Sequence, residues 1–274
     1  HIRGDINEVV RSLLYSNMGL ASNSNWYKKC VKLAAEWDTI SQNKSVFNYD
    51  GISIYNVMEE LNNKAYDNKT FVSDAGSISY VAPVTLKFVP ERTLIFSPAQ
   101  ADMGCALPSA IGISVSNPKK KIMCITGDGS FMTNLQELAV LKYHRPDVII
   151  IILNNNGYLS ITNTQKNNFG NRLYGESDGR GLAFPDFKIL AESFKLKYLD
   201  ICRVEQLNKL RTLKGPALVE IKCIEQEVIA PYQTRVLGEQ AGSHDMAPHL
   251  SLKELSDSSS VKLNFIRQSG KKII

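Results

Sequence analysis

Two short polar motifs follow neighbouring apolar stretches and could together hold a metal ion. Gly127-Asp128-Gly129-Ser130 follows the apolar stretch 122–126, and Asn154-Asn155 follows the β-branched stretch 148–153. Because the carboxyl ends of parallel strands form one edge of a sheet, the two motifs are expected to meet there. A carboxylate and an amide carbonyl are hard oxygen ligands that suit Mg²⁺. The pattern therefore predicts that Asp128 and Asn155 bind one divalent metal ion.

The glycines of the first motif add a site for phosphate. Gly127 and Gly129 allow a tight turn and a close approach of the backbone to a ligand. They precede a predicted helix, whose first N–H groups are free to bind an anion. Since Mg²⁺ commonly combines one or two carboxylates with phosphate oxygens, the two motifs predict a site for a metal-bound diphosphate.

A dinucleotide-binding fingerprint is the nearest alternative interpretation. It requires a third glycine, where Met132 stands, and an acidic residue after the next strand, where Asn154 stands. Taken singly, Gly-Asp-Gly and Asn-Asn are more often ordinary turns. Their combination, each motif directly after a predicted strand, favours the metal and diphosphate site.

Alternating strand and helix patterns must position these motifs, and they indicate an α/β fold: an open parallel sheet with helices on both faces. Strands are predicted at 71–73, 94–96, 122–126, 148–153, 198–201 and 217–221. Helices are predicted at 54–66, 107–115, 135–143, 184–194 and 205–213. Thr133 and Gln136 form a capping pattern for the third of these helices, and Pro185 is expected in the first turn of the fourth.

The motifs resemble the thiamine diphosphate signature, in which G-D-G after one strand is followed by N-N after the next. The similarity extends to the C-terminal cofactor domain of the acetolactate synthase group and covers roughly residues 46–224. The stretches that carry it are Phe71–Gly76, Gln100–Gly112 and Gly129–Ala139. The resemblance implies the thiamine diphosphate-binding fold, with thiamine diphosphate and Mg²⁺ as cofactors.

Site residues follow from this resemblance position by position. Mg²⁺ is expected to bind the side chains of Asp128 and Asn155 and the backbone carbonyl of Gly157. Met103 is expected to support the bent cofactor, and the Ala101 carbonyl and Met103 N–H to contact its aminopyrimidine ring. Tyr158 and Leu159 are expected beside the cofactor and substrate. The expected diphosphate cradle consists of Gly76, Ser77, Gly127, Gly129 and Ser130.

The sequence departs from the family pattern at two places. Ala99, Ala101 and Asp102 occupy positions where the family has glycines before the methionine. Near Thr164, the aromatic residue that acetolactate synthases carry after the N-N motif is replaced. The chemical class is retained, and the acceptor substrate is left open.

The resemblance implies a carboligase that decarboxylates a 2-oxo acid, pyruvate. The alternatives are a 2-oxo acid decarboxylase without an acceptor, a carboligase acting on a keto sugar in cell-surface polysaccharide synthesis, and a non-catalytic binding module. No catalytic residue is assigned to this chain, because the family's activating glutamate belongs to a pyrimidine-binding domain of the same or a partner chain. Without that domain, the fragment is expected to bind the cofactor weakly and to lack turnover. When full length, the protein is expected to form a homodimer or homotetramer. An FAD requirement is left open.

Three segments are expected. Residues 1–45 are interpreted as the end of a preceding middle domain plus a linker, residues 46–225 as the thiamine diphosphate-binding domain, and residues 226–274 as a polar C-terminal tail. His244, Asp245 and His249 in that tail are interpreted as solvated loop residues.

The composition argues against a nucleic-acid-binding or membrane-spanning protein. With 43% hydrophobic residues, 22% charged residues and a net charge of +5, the chain is typical of a soluble globular protein. The basic residues form no stripe, which argues against nucleic-acid binding. The apolar run 148–153 is far shorter than the ~20 residues that span a bilayer. Five scattered cysteines without a C-x-x-C pair predict buried free thiols of a reducing compartment. With no signal-peptide pattern, the protein is expected to be cytoplasmic.

Overall fold

The computed structural model divides the chain into two compact units, His1–Asp38 and Thr39–Ile274. It describes residues 5–15, 25–36, 38–41, 50–87, 89–229, 232–233 and 246–247. The first unit contributes helices α1 (Ile6–Tyr15) and α2 (Asn25–Glu36). His244, Asp245 and His249 lie outside the described residues.

A six-stranded sheet forms the centre of the second unit. Its strands are β1 (Lys69–Ser73), β2 (Thr93–Ile95), β3 (Lys121–Gly127), β4 (Val148–Asn154), β5 (Lys197–Ile201) and β6 (Ala217–Lys222). They are ordered β2-β1-β3-β4-β6-β5, and every neighbouring pair is parallel. This confirms the predicted open parallel sheet. A separate antiparallel pair consists of β7 (Tyr232–Gln233) and β8 (Met246–Ala247).

Helices connect the strands and cover the sheet. They are α3 (Ile54–Leu61), α4 (Ser77–Thr85), α5 (Ala106–Ser116), α6 (Asp128–Met132), α7 (Leu138–His144), α8 (Leu159–Asn168) and α9 (Phe187–Ser193). Three 3₁₀ helices lie at Lys64–Tyr66, Leu135–Glu137 and Val204–Arg211. The described part of the chain contains no helix both long and apolar enough to cross a membrane.

Strand β4 shows why the sheet needs helices on both faces. Ile149, Ile151 and Leu153 belong to one buried apolar cluster, together with residues of α3 and α4. Val148, Ile150 and Ile152 belong to a second cluster, together with residues of α5, α7 and α9. Successive side chains of a strand point to opposite faces, so an uninterrupted apolar run is buried only when both faces are covered.

Four helix predictions require correction. The helix predicted at 54–66 ends at Leu61 and is followed by a separate 3₁₀ turn at Lys64–Tyr66. Thr133 does not cap the helix that follows it, because its hydroxyl donates to the Ser130 carbonyl at 2.7 Å, and the predicted helix 135–143 splits into a 3₁₀ turn and α7. Pro185 precedes the helix, whose N-cap is Asp186, which accepts a hydrogen bond from Ile189 N at 2.9 Å. The helix predicted at 205–213 is a 3₁₀ helix.

Three helices of the second unit were not predicted, α4, α6 and α8, and all begin at the edge of the sheet that carries the polar motifs. Helix α6 starts at Asp128, whereas the predicted helix starts at 135. Helix α4 follows Gly76, whose φ of 82° favours glycine, and Pro83 inside it obscures the helical pattern. Helix α8 is polar over most of its length, with Thr162 as its buried residue. The sequence of α8 therefore has little of the apolar periodicity that predicts a helix.

The cysteines are free, as predicted, but they are not all buried. All five thiols are free. Cys124 is buried, whereas Cys202 is exposed, so the cysteines do not share one environment.

Replacing Ile151 with Ala should destabilise the second unit by roughly 2–5 kcal/mol, the usual cost of cutting a fully buried isoleucine to alanine. Ile151 has 0% exposure at the centre of β4. Ile189→Ala is the control, because Ile189 is 61% exposed and its loss should change stability by less than ~0.5 kcal/mol. Urea unfolding curves of the two variants and wild type measure both effects. Equal costs would contradict the described burial.

Candidate functional site

A cavity of about 270 Å³ opens at the carboxyl edge of the sheet. Strand register creates it: Gly127 of β3 pairs with Leu153 of β4, so the motifs after both strands face the same space. Every residue predicted to contact the cofactor lines this cavity. These residues are Gly76, Ser77, Ala101, Met103, Gly127, Asp128, Gly129, Ser130, Asn155, Gly157, Tyr158 and Leu159.

Asp128 is the buried carboxylate at the centre of this edge, with 1% exposure. Its Oδ1 accepts a hydrogen bond from Gly129 N at 2.6 Å, and its Oδ2 accepts one from Gly157 N at 3.1 Å. Burial raises the pKa of Asp128 to about 6, although backbone N–H groups of Gly129 and of residues 155–157 lower it in part. The carboxylate thus joins the start of α6 to the loop after β4.

The two asparagines after β4 have different environments. Asn154 binds the sheet: its Nδ2 donates to Glu220 Oε1 at 2.6 Å, and its Oδ1 accepts from Asn156 N at 3.0 Å. Asn155 lines the cavity, and its side chain makes no hydrogen bond within the described residues. An amide oxygen in this position is available to a ligand beside Asp128.

Two glycines allow the loops of the site to approach each other. A Cβ added at Gly129 would lie 1.9 Å from Cε1 of Tyr158, and a Cβ added at Gly157 would lie 2.3 Å from the backbone oxygen of Glu176. Contacts below 3 Å between such atoms essentially do not occur. A side chain at 157 would therefore clash with backbone atoms, whereas a side chain at 129 would force the ring of Tyr158 to move.

Asp74 is a site-forming residue that the sequence analysis did not single out, although it belongs to the stretch that carries the family resemblance. It is 2% exposed and accepts hydrogen bonds from Ala75 N and Gly104 N, both at 2.8 Å, and from Thr126 Oγ1 at 3.0 Å. Burial raises the pKa of Asp74, and these hydrogen bonds counteract the rise. Asp74 therefore fixes the loop that carries Met103 against the ends of β1 and β3.

The loop before Met103 carries alanine and aspartate residues at positions where the family has glycines. Ala101 adopts φ 52°, a left-handed conformation that costs a residue with a Cβ roughly 1–2 kcal/mol, which explains why glycine is suited to this stretch. Met103 is 43% exposed at the cavity wall. Asp102 is exposed and accepts a hydrogen bond from Ser97 Oγ at 2.7 Å.

Glu227 is a second buried carboxylate in the cavity wall, and it lies in the segment interpreted as a polar tail. It is 4% exposed, accepts a hydrogen bond from Ile54 N at 2.9 Å, and accepts another from Ser53 Oγ. Ile54, Cys223, Ile224 and Ile229 form an apolar wall around it. Burial raises the pKa of Glu227 to about 7, and its two hydrogen bonds lower it in part. No local motif in the sequence predicts this long-range contact.

The predicted metal donors at the cavity are oxygen atoms. The described part of the chain has no cluster of three or more His, Cys, Asp or Glu residues that could hold a metal ion. A site with one aspartate, one asparagine and a backbone carbonyl falls outside that kind of cluster, and it suits Mg²⁺, which takes few carboxylates.

Replacing Glu227 with Gln should alter the pH dependence of stability. An acid with a raised pKa in the folded chain binds its proton more tightly when folded, so the free energy of unfolding decreases as pH rises from about 4.5 to about 7. That shift corresponds to about 3 kcal/mol. Relative to wild type, Glu227→Gln should therefore gain about 3 kcal/mol in stability between about pH 4 and about pH 8.

Urea unfolding at several pH values measures this difference. Glu225→Gln is the control, since Glu225 is exposed two residues away, and it should follow wild type. Parallel pH profiles for wild type and Glu227→Gln would show that the carboxyl group of Glu227 is not buried as described.

Comparison with known proteins agrees with this geometry. Residues 74–221 match the family described as "Thiamine pyrophosphate enzyme, C-terminal TPP binding domain". The chain is 28% identical over 243 residues to the acetolactate synthase large subunit of Porphyra purpurea, covering 84% of this chain and 39% of the relative.

Two further relatives carry related names. Acetolactate synthase isozyme 2 large subunit of Escherichia coli (strain K12) is 26% identical over 238 residues, which cover 84% of this chain and 41% of the relative. The large subunit of Pyropia yezoensis is 31% identical over 173 residues, which cover 62% of this chain and 29% of the relative. The chain thus spans about two-fifths or less of these relatives. Because the family match covers more than half of the chain, this protein belongs to the thiamine pyrophosphate enzymes, through their C-terminal cofactor-binding domain.

Proposed function

We propose that residues 46–225 bind thiamine diphosphate together with Mg²⁺, as the cofactor domain of a carboligase that decarboxylates pyruvate. The observation that carries the proposal is the meeting of Asp128, Asn155 and Gly157 at one end of the cavity. In the proposal, the two side chains and the Gly157 carbonyl bind the metal ion. Gly76, Ser77, Gly127, Gly129 and Ser130 face the diphosphate.

Charge balance supports a divalent cation in this cavity. Its described lining includes the carboxylates of Asp128 and Glu227 but no Lys, Arg or His. A diphosphate would add negative charge to a site that is already acidic, and an unpaired buried charge is very costly. A divalent cation between Asp128 and the diphosphate offsets this repulsion, so the proposed cofactor fits only with its metal.

The distribution of polar and apolar residues along the cavity supports a cofactor with one charged end and one apolar end. Polar donors and backbone N–H groups surround Asp128, whereas Ile54, Ile78, Leu153 and Ile224 form apolar walls. This combination of an apolar pocket with a few polar groups is common in small-molecule sites. Met103 and Tyr158 are the proposed support and flank of the organic part.

When bound, thiamine diphosphate supplies the electron sink that stabilises a carbanion next to a carbonyl carbon. The residues of this chain would bind the metal, fix the diphosphate and keep water from the apolar walls. We expect the activating glutamate to come from a pyrimidine-binding domain, in the same polypeptide or a partner subunit of a homodimer or homotetramer. The names of the relatives, acetolactate synthase large subunits, support the carboligase class.

The proposed segments are a middle-domain end and linker at 1–45, the cofactor domain at 46–225 and a tail at 226–274. We also propose that the protein acts in the cytoplasm.

Asp128→Ala should abolish the stabilisation that thiamine diphosphate and Mg²⁺ give to the folded chain. A ligand at a hundred times its Kd stabilises by about 2.7 kcal/mol, and loss of the metal ligand should remove most of this. Asp200→Ala is the control, because Asp200 is an exposed aspartate on β5 outside the cavity lining. Thermal unfolding with and without both ligands gives the shift. An unchanged shift in Asp128→Ala would refute the metal assignment.

Product analysis should separate the carboligase from the other classes. We expect the chain alone to leave pyruvate unconverted. With a pyrimidine-binding domain added, it should form a new carbon–carbon bond between a pyruvate-derived unit and a second 2-oxo acid. Acetaldehyde as the sole product would indicate a simple decarboxylase, and incorporation into a keto sugar would indicate the other acceptor class. Mass spectrometry of the products distinguishes these outcomes.

A further inference from the structure

The loop Gly175–Leu182 packs against the short segment Asn156–Tyr158 that contains the proposed third metal ligand. Tyr158 N donates to Glu176 O at 2.7 Å, and Asp178 N donates to Asn156 O at 3.2 Å. Gly157 and Ser177 form an antiparallel bridge between these contacts. The position of the Gly157 backbone is therefore set by this loop.

The side chain of Glu176 anchors the same loop from inside. It is 1% exposed, and its oxygens accept hydrogen bonds from Thr162 Oγ1 and Arg180 Nη1, both at 2.9 Å. Thr162 belongs to α8, and its backbone N–H donates to Tyr158 O at 2.9 Å. Because a buried carboxylate is stable only with its partners in place, Glu176 ties its loop to the first turn of α8.

We propose that Glu176 is a positioning residue for the metal site, which holds Gly157 and Tyr158 in the geometry that the metal ion requires. The inference rests on the proposed function. Gly157 is held on both sides: its N–H donates to Asp128 Oδ2 at 3.1 Å, and its Cα faces the Glu176 backbone oxygen too closely for any side chain. Movement of the Glu176 loop would therefore move Gly157 relative to Asp128.

Metal affinity is the property that should report this role. Mg²⁺ requires a nearly ideal octahedral arrangement of ligands, so a small displacement of the Gly157 carbonyl weakens binding. Residues that orient metal ligands without touching the metal typically change affinity by about 10–100-fold when mutated. Glu176 reaches the site through backbone contacts of Gly157 and Tyr158, and it does not line the main cavity.

Glu60 provides a matched control. Like Glu176, it accepts hydrogen bonds from one hydroxyl and one arginine: Tyr66 OH at 3.0 Å, and the Nε and Nη2 groups of Arg211, both at 2.7 Å. Glu60 lies near the end of α3 and outside the cavity lining. Glu60→Gln therefore loses an equivalent contact without reaching Gly157.

The test is the affinity for Mn²⁺, used as a probe for Mg²⁺, measured by electron paramagnetic resonance of free Mn²⁺ with thiamine diphosphate present. We expect Glu176→Gln to bind Mn²⁺ at least about tenfold more weakly than wild type, and Glu60→Gln to bind within about twofold of wild type. In the metal-free chain, the Tyr158 amide hydrogen should also exchange faster in Glu176→Gln than in wild type. In Glu60→Gln it should exchange at the wild-type rate. Arg180→Ala, at a half-exposed partner, should weaken binding in the same direction and serves if Glu176→Gln does not fold.

The test separates a failure of the positioning role from a failure of the proposed function. Wild-type affinity in Glu176→Gln or, where that variant does not fold, in Arg180→Ala would overturn the positioning role while leaving the proposed function intact. Equal losses of Mn²⁺ affinity in Glu176→Gln and Glu60→Gln would show that the loss reflects a general decrease in stability, and would also overturn the positioning role. Absence of Mn²⁺ binding by wild type would overturn the proposed function and this inference together.

Discussion

The burial of one carboxylate at the edge of a parallel sheet is the constraint on which the site depends. Asp128 has 1% exposure, and backbone N–H groups from the start of α6 and from the loop after β4 surround it. A charge removed from water must be compensated by hydrogen bonds or by a counter-ion. Backbone amides compensate it only in part, because its pKa remains raised to about 6. A cation beside Asp128 would complete the compensation.

The loops at this edge of the sheet are held close together by two buried carboxylates, Asp128 and Asp74. Asp74 directly follows β1 and accepts hydrogen bonds from N–H and hydroxyl donors of the Met103 loop and of β3. Asp128 joins β3 to the loop after β4. Neighbouring strands are thus linked at one edge by two buried carboxylates. A side chain at Gly157 would clash with the backbone of the Glu176 loop, and one at Gly129 would force the Tyr158 ring to move. The cavity lies between the loops so fixed.

Sequence reasoning was strongest where one local pattern determines the structure. The apolar run 148–153 predicted a strand covered on both faces, and the motifs after β3 and β4 predicted which residues share an edge. It failed at Thr133, whose hydroxyl bonds backward to Ser130, and at α8, which is too polar to show a helical period. Glu227 was unpredictable, because its burial depends on contacts with Ser53 and Ile54, which are distant in sequence.

In the proposed site, Asp128 and Asn155 bind one divalent ion together with an anionic cofactor. A crystal structure of the chain with thiamine diphosphate and Mn²⁺, with anomalous diffraction data, tests it most directly. We expect one anomalous peak about 2–2.3 Å from both side-chain oxygens and from the Gly157 carbonyl, with diphosphate oxygens completing the shell. A bound diphosphate with no peak between these residues, or a peak elsewhere, would contradict it.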